Sequence, residues 1–270
     1  MECKVKYGTI NYKVTGEGRP YIILHSMGTD HRAMEAWLEP IFSPESNCKR
    51  IYIDLPAHGL STINEHFKGT EQIVGNIIEF IQKTIGDQTF GLIGMSYGAY
   101  VAQGIMDELG EKVEGIALIV PAVHNPTKNL PEKVVLKQEE KMLKTLDDDM
   151  RQAFETLFVI QTDEMVEGFL SELQPGRERA NREFLTSDWR EKEYFLKKEP
   201  FIEHEEITIP ALFLMGKQDS ICGYEGQFEV FKKFSKATFS VLDGAGHMLV
   251  LEKRETAQAL IKDWIKEING

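Results

Sequence analysis

The stretch TFGLIGMSYGA, residues 89–99, decides how the chain folds. Its first five residues predict a buried strand, and helical spacing follows over 99–109. Ser96 lies between the two, framed by Gly94 and Gly98. A tight turn from strand to helix accepts only small neighbours and presents its central hydroxyl above the sheet. We therefore interpret Ser96 as a nucleophile.

Short apolar runs alternate with amphipathic stretches on both sides of this turn. The runs predict a strand pair over 5–14 and strands at 21–24, 50–54, 113–120, 211–215 and 238–242. Helical spacing predicts helices at 33–42, 71–85, 227–234 and 256–268, the second with Thr70 as its N-cap and Gly86 as its stop. This alternation is typical of an α/β protein with a largely parallel sheet.

The alternation is interrupted after Pro121. Residues 125–203 are rich in charge and helical in spacing, and they contain no convincing strand. We therefore predict a core domain formed by residues 1–121 and 204–270, with a helical cap inserted at 122–203.

Two residues further along the chain fit the roles that a serine nucleophile requires. A serine hydroxyl needs a base, and the base needs an acid to fix its tautomer. Asp219 follows the predicted strand 211–215, and His247 follows 238–242 in a loop of small residues. Asp243 could compete as the acid, but it reads as the last residue of its strand. We predict Asp219 as the acid and His247 as the base.

The loop after the predicted strand 21–24 supplies the remaining part of such a site. An oxyanion needs two amide donors, one after the nucleophile and one from an early loop. These are the backbone N–H groups of Tyr97 and Met27. We expect His25 to brace this loop, and Ser26 to be a loop residue.

Composition excludes several classes of partner. The formal net charge of −12 disfavours nucleic acid and anionic membranes, which bind basic surfaces. Three widely spaced cysteines fit a reduced cytoplasmic protein, and Cys222 reads as a buried, inert thiol. No segment is apolar for long enough to span a bilayer, and the N-terminus has no export signal. We expect a monomer or homodimer that acts on a small molecule.

Taken together, these pieces resemble the α/β-hydrolase superfamily over essentially the whole chain. The matching parts are residues 25–28, 54–61, 94–98, 216–219 and 246–247. The resemblance implies an eight-stranded, mostly parallel sheet, a cap inserted after the sixth strand, and neither a metal nor an organic cofactor. Residues 25–32 are similar to the oxyanion segment of 3-oxoadipate enol-lactonases and related small esterases, although Ser26 stands where many relatives have glycine.

The expected activity is acyl transfer from a small carboxylic ester or lactone. A carbon–carbon bond hydrolase of ring-cleavage products would use the same residues, and a basic side chain in the pocket would favour it. The candidates for that side chain are Arg32, Arg177, Arg179, Arg182 and Arg190. A third interpretation is a signalling protein that keeps the triad and uses its pocket to bind a ligand.

Overall fold

A computed structural model describes residues 1–43, 46–124 and 130–269, and a single large sheet lies at its centre. Residues 125–129, in the predicted cap, lie outside the described residues. Numbered in chain order, the eight main strands are β1 (Glu2–Val5), β2 (Gly8–Thr15), β3 (Arg19–Leu24), β4 (Cys48–Ile53), β5 (Phe90–Met95), β6 (Val113–Ile119), β7 (Ala211–Gly216) and β8 (Ala237–Leu242).

The strands lie in the order β1-β2-β4-β3-β5-β6-β7-β8. The pairs β1–β2 and β2–β4 are antiparallel, and every other neighbouring pair in this order is parallel. The predicted mostly parallel sheet is therefore confirmed. A two-residue strand that was not predicted, Thr62–Ile63, pairs with β2. Because β3, β5, β7 and β8 are parallel, the loops that follow them leave from the same edge of the sheet.

The helices form two groups, those that cover the two faces of the sheet and those of the segment between β6 and β7. They are α1 (His31–Leu38), α2 (Thr70–Thr84), α3 (Tyr97–Leu109), α4 (Glu140–Leu143), α5 (Asp148–Leu157), α6 (Asp163–Gly168), α7 (Gln174–Arg177), α8 (Arg182–Leu185), α9 (Trp189–Lys192), α10 (Glu225–Phe231), α11 (Leu249–Glu252) and α12 (Arg254–Asn269). Successive strand residues point to opposite faces. Ile22 accordingly packs in the cluster that contains α2 and α3, and Ile23 in the cluster that contains α1 and α12.

The start of α2 differs in one detail from the sequence prediction. Gly69 occupies the N-cap position, and Thr70 is the first helical residue. The Thr70 hydroxyl does not cap the helix, because it donates to the Tyr194 carbonyl at 2.6 Å and lies 2.7 Å from the Tyr97 hydroxyl. These contacts connect α2 with the start of α3 and with the segment before β7.

The segment between β6 and β7 consists mainly of short helices. The expectation that it contains no strand is wrong in one respect, since Lys137–Gln138 and Ile160–Gln161 form a two-stranded sheet of their own. Phe154 stacks on Phe158 with ring centroids 4.4 Å apart, and both belong to the buried cluster that contains α1 and α12. This segment therefore shares a hydrophobic core with the main sheet.

The described helices lack the length and apolar composition of membrane spans. Within the described ranges, none of them is both long enough and apolar enough to cross a bilayer.

Candidate active site

The turn at Ser96 has the geometry that its sequence predicts. Ser96 connects β5 to α3 with φ 53° and ψ −117°, a strained conformation for a residue with a side chain. A Cβ added at Gly94 would lie 2.6 Å from the Ala99 backbone, and one at Gly98 would lie 2.4 Å from the His25 carbonyl oxygen. The turn therefore requires glycine at both positions, and it leaves the Ser96 hydroxyl at the end of the sheet.

Ser96, His247 and Asp219 lie in one line of hydrogen bonds. The Ser96 Oγ is 2.9 Å from His247 Nε2, and His247 Nδ1 is 2.9 Å from Asp219 Oδ2. The other carboxylate oxygen of Asp219 accepts the backbone N–H groups of Ile221 and Cys222 at 2.9 and 3.0 Å. Asp219 can therefore accept a hydrogen bond from the Nδ1–H group of His247, which leaves Nε2 unprotonated and able to accept a hydrogen bond from the Ser96 hydroxyl.

Asp243, the competing acid, points elsewhere. Its exposed carboxylate accepts from Gln218 at 2.9 Å and pairs with Lys217 at 3.2 Å. Of the two carboxylates, only Asp219 contacts His247.

Electrostatics favour charge separation between His247 and Asp219. Burial disfavours the charged forms of both groups, but their mutual attraction outweighs it. The pKa of Asp219 is consequently lowered, and the pKa of His247 is raised above 6.5. The imidazolium that forms when His247 accepts a proton is thus stabilised in place.

The loop after β3 is held in position by His25. This side chain is fully buried, its Nδ1 donates to the Ser26 carbonyl oxygen at 2.7 Å, and its Nε2 accepts the Leu55 N–H at 2.9 Å. Burial lowers the pKa of His25, so the ring is neutral. The expectation that His25 braces the loop agrees with these contacts.

The two predicted oxyanion donors, Met27 and Tyr97, both line the same cavity as Ser96. Among the hydrogen bonds of the described residues, neither backbone N–H donates to a protein acceptor. Both groups are therefore available to an oxygen atom of a bound molecule.

A cavity of about 510 Å³ opens over Ser96 and His247. Its apolar lining includes Leu130, Leu157, Leu173, Ile221 and Met248. Two cations also line it. Arg177 is paired with Asp149 at 3.0 Å, whereas Arg190 has no ion pair among the described residues. The cavity thus combines an apolar wall with one available positive charge.

Cys222 departs from its sequence interpretation. It is only partly buried, and its thiol lies in the cavity beside His247. Potential metal-ligating atoms of Asp219, Cys222 and His247 lie within 4.8 Å of one another. In the sequence, only the position of Cys222, three residues after Asp219, indicated that it could lie near the site. A sequence does not show which way a loop side chain points.

The sheet order, the turn at Ser96 and the cavity above it define an α/β hydrolase. More narrowly, the chain belongs to the serine aminopeptidase S33 family, whose model matches residues 45–254. This assignment confirms the superfamily resemblance and the hydrolase class.

Individual relatives support the same class. The structure of an α/β superfamily hydrolase from Oenococcus oeni matches with a TM-score of 0.88 and 25% identity, over 100% of both chains. Monoacylglycerol lipase ABHD6 of Mus musculus is 22% identical, over 94% of this chain and 79% of the lipase. The (E)-2-((N-methylformamido)methylene)succinate hydrolase of Acinetobacter baylyi is 24% identical, over 96% and 94% of the two chains. All three are hydrolases, which favours the enzymatic interpretations over a signalling protein.

Proposed function

We propose that this hydrolase cleaves a small carboxylic ester or lactone through an acyl-enzyme formed on Ser96. The observation that carries the proposal is the continuous line of hydrogen bonds from Ser96 through His247 to Asp219. In this mechanism His247 removes the Ser96 proton as the hydroxyl attacks the substrate carbonyl, and Asp219 holds the ring in the required tautomer.

The tetrahedral intermediate carries a negative charge on the former carbonyl oxygen. The backbone N–H groups of Met27 and Tyr97 donate to this oxygen, and the N-terminus of α3 adds a favourable dipole. His247 then gives its proton to the leaving alcohol, which departs and leaves the acyl group on Ser96. A water molecule, deprotonated by His247, attacks this ester and releases the acid.

The size and lining of the cavity support a small and partly apolar substrate. Its volume of about 510 Å³ falls within the range of about 300–1,000 Å³ that is typical of small-molecule sites. The lipase relative, whose name specifies monoacylglycerols, is consistent with ester cleavage.

A fluorophosphonate probe tests the nucleophile directly, because it reacts covalently with activated serines. We expect the wild type to be labelled and Ser96→Ala to remain unlabelled, while the exposed control Ser171→Ala is labelled normally. Mass spectrometry of the labelled peptide distinguishes Ser96 from Ser26, which lies in the same cavity. Labelling that persists in Ser96→Ala would contradict the proposal.

A carbon–carbon bond hydrolase remains the second candidate, and Arg190 is the observation that favours it. Ring-cleavage products carry a carboxylate. Arg190 contacts the Met27 sulfur through its Nη2 but forms no ion pair with the described residues, so its charge could bind that carboxylate. The succinate in the name of the Acinetobacter relative is also an anion. This candidate predicts faster turnover of a dienoate than of a neutral aryl ester, with the preference lost in Arg190→Gln and kept in Arg179→Gln. Arg179 is a matched control because it is exposed and outside the cavity lining.

A further inference from the structure

Glu252 connects two parts of the chain that meet beside the cavity. It is the last residue of α11, five positions after His247. Its Oε2 accepts the Gly246 N–H at 2.7 Å, next to His247. Its Oε1 accepts the N–H groups of Val159 and Ile160 at 2.7 and 2.9 Å, in the segment between β6 and β7. One carboxylate thus bridges the loop that carries His247 and the inserted segment.

This carboxylate is held without an ion pair to any of the described residues. Burial raises the pKa of Glu252, although its three backbone donors and the charge of Lys133 partly oppose that effect. Burying an unpaired carboxylate is costly, and hydrogen bonds from backbone N–H groups offset part of the cost. Such a cost is consistent with a specific role for these three contacts.

Close packing joins the same two segments. A Cβ added at Gly246 would lie 2.8 Å from Val159 Cγ1, so the loop lies directly against the Val159 side chain. Leu157, two residues before Val159, lines the cavity, and so does Met248, which follows His247. The position of the cavity wall and the position of the imidazole are therefore set at one junction.

From this junction we propose that Glu252 is a positioning residue for His247. Glu252 accepts hydrogen bonds from Gly246 on one side and from Val159 and Ile160 on the other. It thereby fixes the position of the imidazole relative to both Ser96 and the cavity wall. The inference rests on the proposed role of His247 as the base, and it assigns a function to a residue that does not touch the substrate.

The substitution Glu252→Gln separates this role from simple packing. Glutamine has nearly the same volume but only one acceptor oxygen, so it cannot accept from both segments. Misplacement of His247 should slow fluorophosphonate labelling by about tenfold to a hundredfold. Glu172→Gln is the matched control, because Glu172 also bridges the inserted segment to the C-terminal region, through Arg254 at 2.7 Å, but away from His247. We expect both variants to lower the melting temperature and only Glu252→Gln to slow labelling.

A second readout follows His247 itself, independently of turnover. The proton shared by His247 Nδ1 and Asp219 gives a strongly downfield NMR signal, which should broaden or shift in Glu252→Gln and persist in Glu172→Gln. Labelling at the wild-type rate, or an unchanged signal, in folded Glu252→Gln would overturn the inference. If the wild type is not labelled at all, the proposed function fails, and the NMR comparison still tests the junction.

A substitution and rescue pair tests the junction even if Glu252→Gln does not fold. Gly246→Ala places a methyl group against Val159, and it should therefore displace the loop and slow labelling. Adding Val159→Ala removes the opposing methyl groups and should restore most of the rate. Slow labelling that Val159→Ala does not relieve would overturn the inference.

Discussion

Replacing Asp219 by asparagine tests the electrostatic core of the mechanism. Asparagine keeps the shape of the side chain, and its carbonyl oxygen can still accept the N–H groups of Ile221 and Cys222. Its NH₂ group then faces His247 Nδ1. Two donors cannot pair, so the imidazole adopts the opposite tautomer and Nε2 carries a proton toward Ser96.

The expected loss follows from this change of tautomer. A ring protonated at Nε2 cannot accept the Ser96 proton, and the charge that stabilises the imidazolium is also gone. Comparable tautomer inversions cost about 10⁴-fold in rate, which corresponds to about 5 kcal/mol of transition-state stabilisation. The melting temperature should change little, because volume and backbone hydrogen bonds are retained.

The assay is the rate of fluorophosphonate labelling at neutral pH, together with the hydrolysis rate of a short aryl ester. Asp243→Asn is the matched control, since Asp243 is exposed and pairs with Lys217 and Gln218 instead of His247. We expect it to behave as the wild type. Labelling of Asp219→Asn within about tenfold of the wild type would refute the reasoning.

Three further predictions concern the turn, the loop and the titration of the base. Gly98→Ala forces a methyl group against backbone carbonyl oxygens, so it should lower the free energy of unfolding, measured in urea, by several kcal/mol. The control Gly75→Ala lies at an open position of α2 and should raise the free energy of unfolding by about 1 kcal/mol. His25→Leu leaves the buried Leu55 N–H unpaired, at a cost of about 1–3 kcal/mol, and should also slow labelling. Labelling of the wild type should rise with pH as neutral His247 forms, with a midpoint above 6.5, because the charge of Asp219 raises the pKa of His247.

The main sheet was predictable because local pattern and tertiary environment agree there. A strand buried on both faces reads as an apolar run, as in 211–215, and an amphipathic helix shows its spacing, as in α2. The residues of the candidate site could be identified from the sequence for the same reason. Ser96, Asp219 and His247 each follow such a strand, and the parallel topology brings the ends of those strands to one edge.

The inserted segment was less predictable, and the reasons are physical. Several of its helices have only four residues, as in α4 and α8, too few for a helical period to appear in the sequence. Its two strands have two residues each and pair only with each other. They are too short to show an alternating hydrophobic pattern in the sequence. The role inferred for Glu252 and the position of Arg190 depend on contacts between residues far apart in the chain, and composition does not encode such contacts.

The parallel edge of the sheet has a consequence for how activity returns after denaturation. The loop at 25–29, the turn at Ser96 and the loops of Asp219 and His247 are far apart along the chain, so every crossover must be closed before they meet. No fragment that lacks β8 contains the complete site. During refolding, the circular dichroism signal should recover before the reactivity of Ser96 does. Covalent labelling of that serine therefore measures the rate of the last step of assembly.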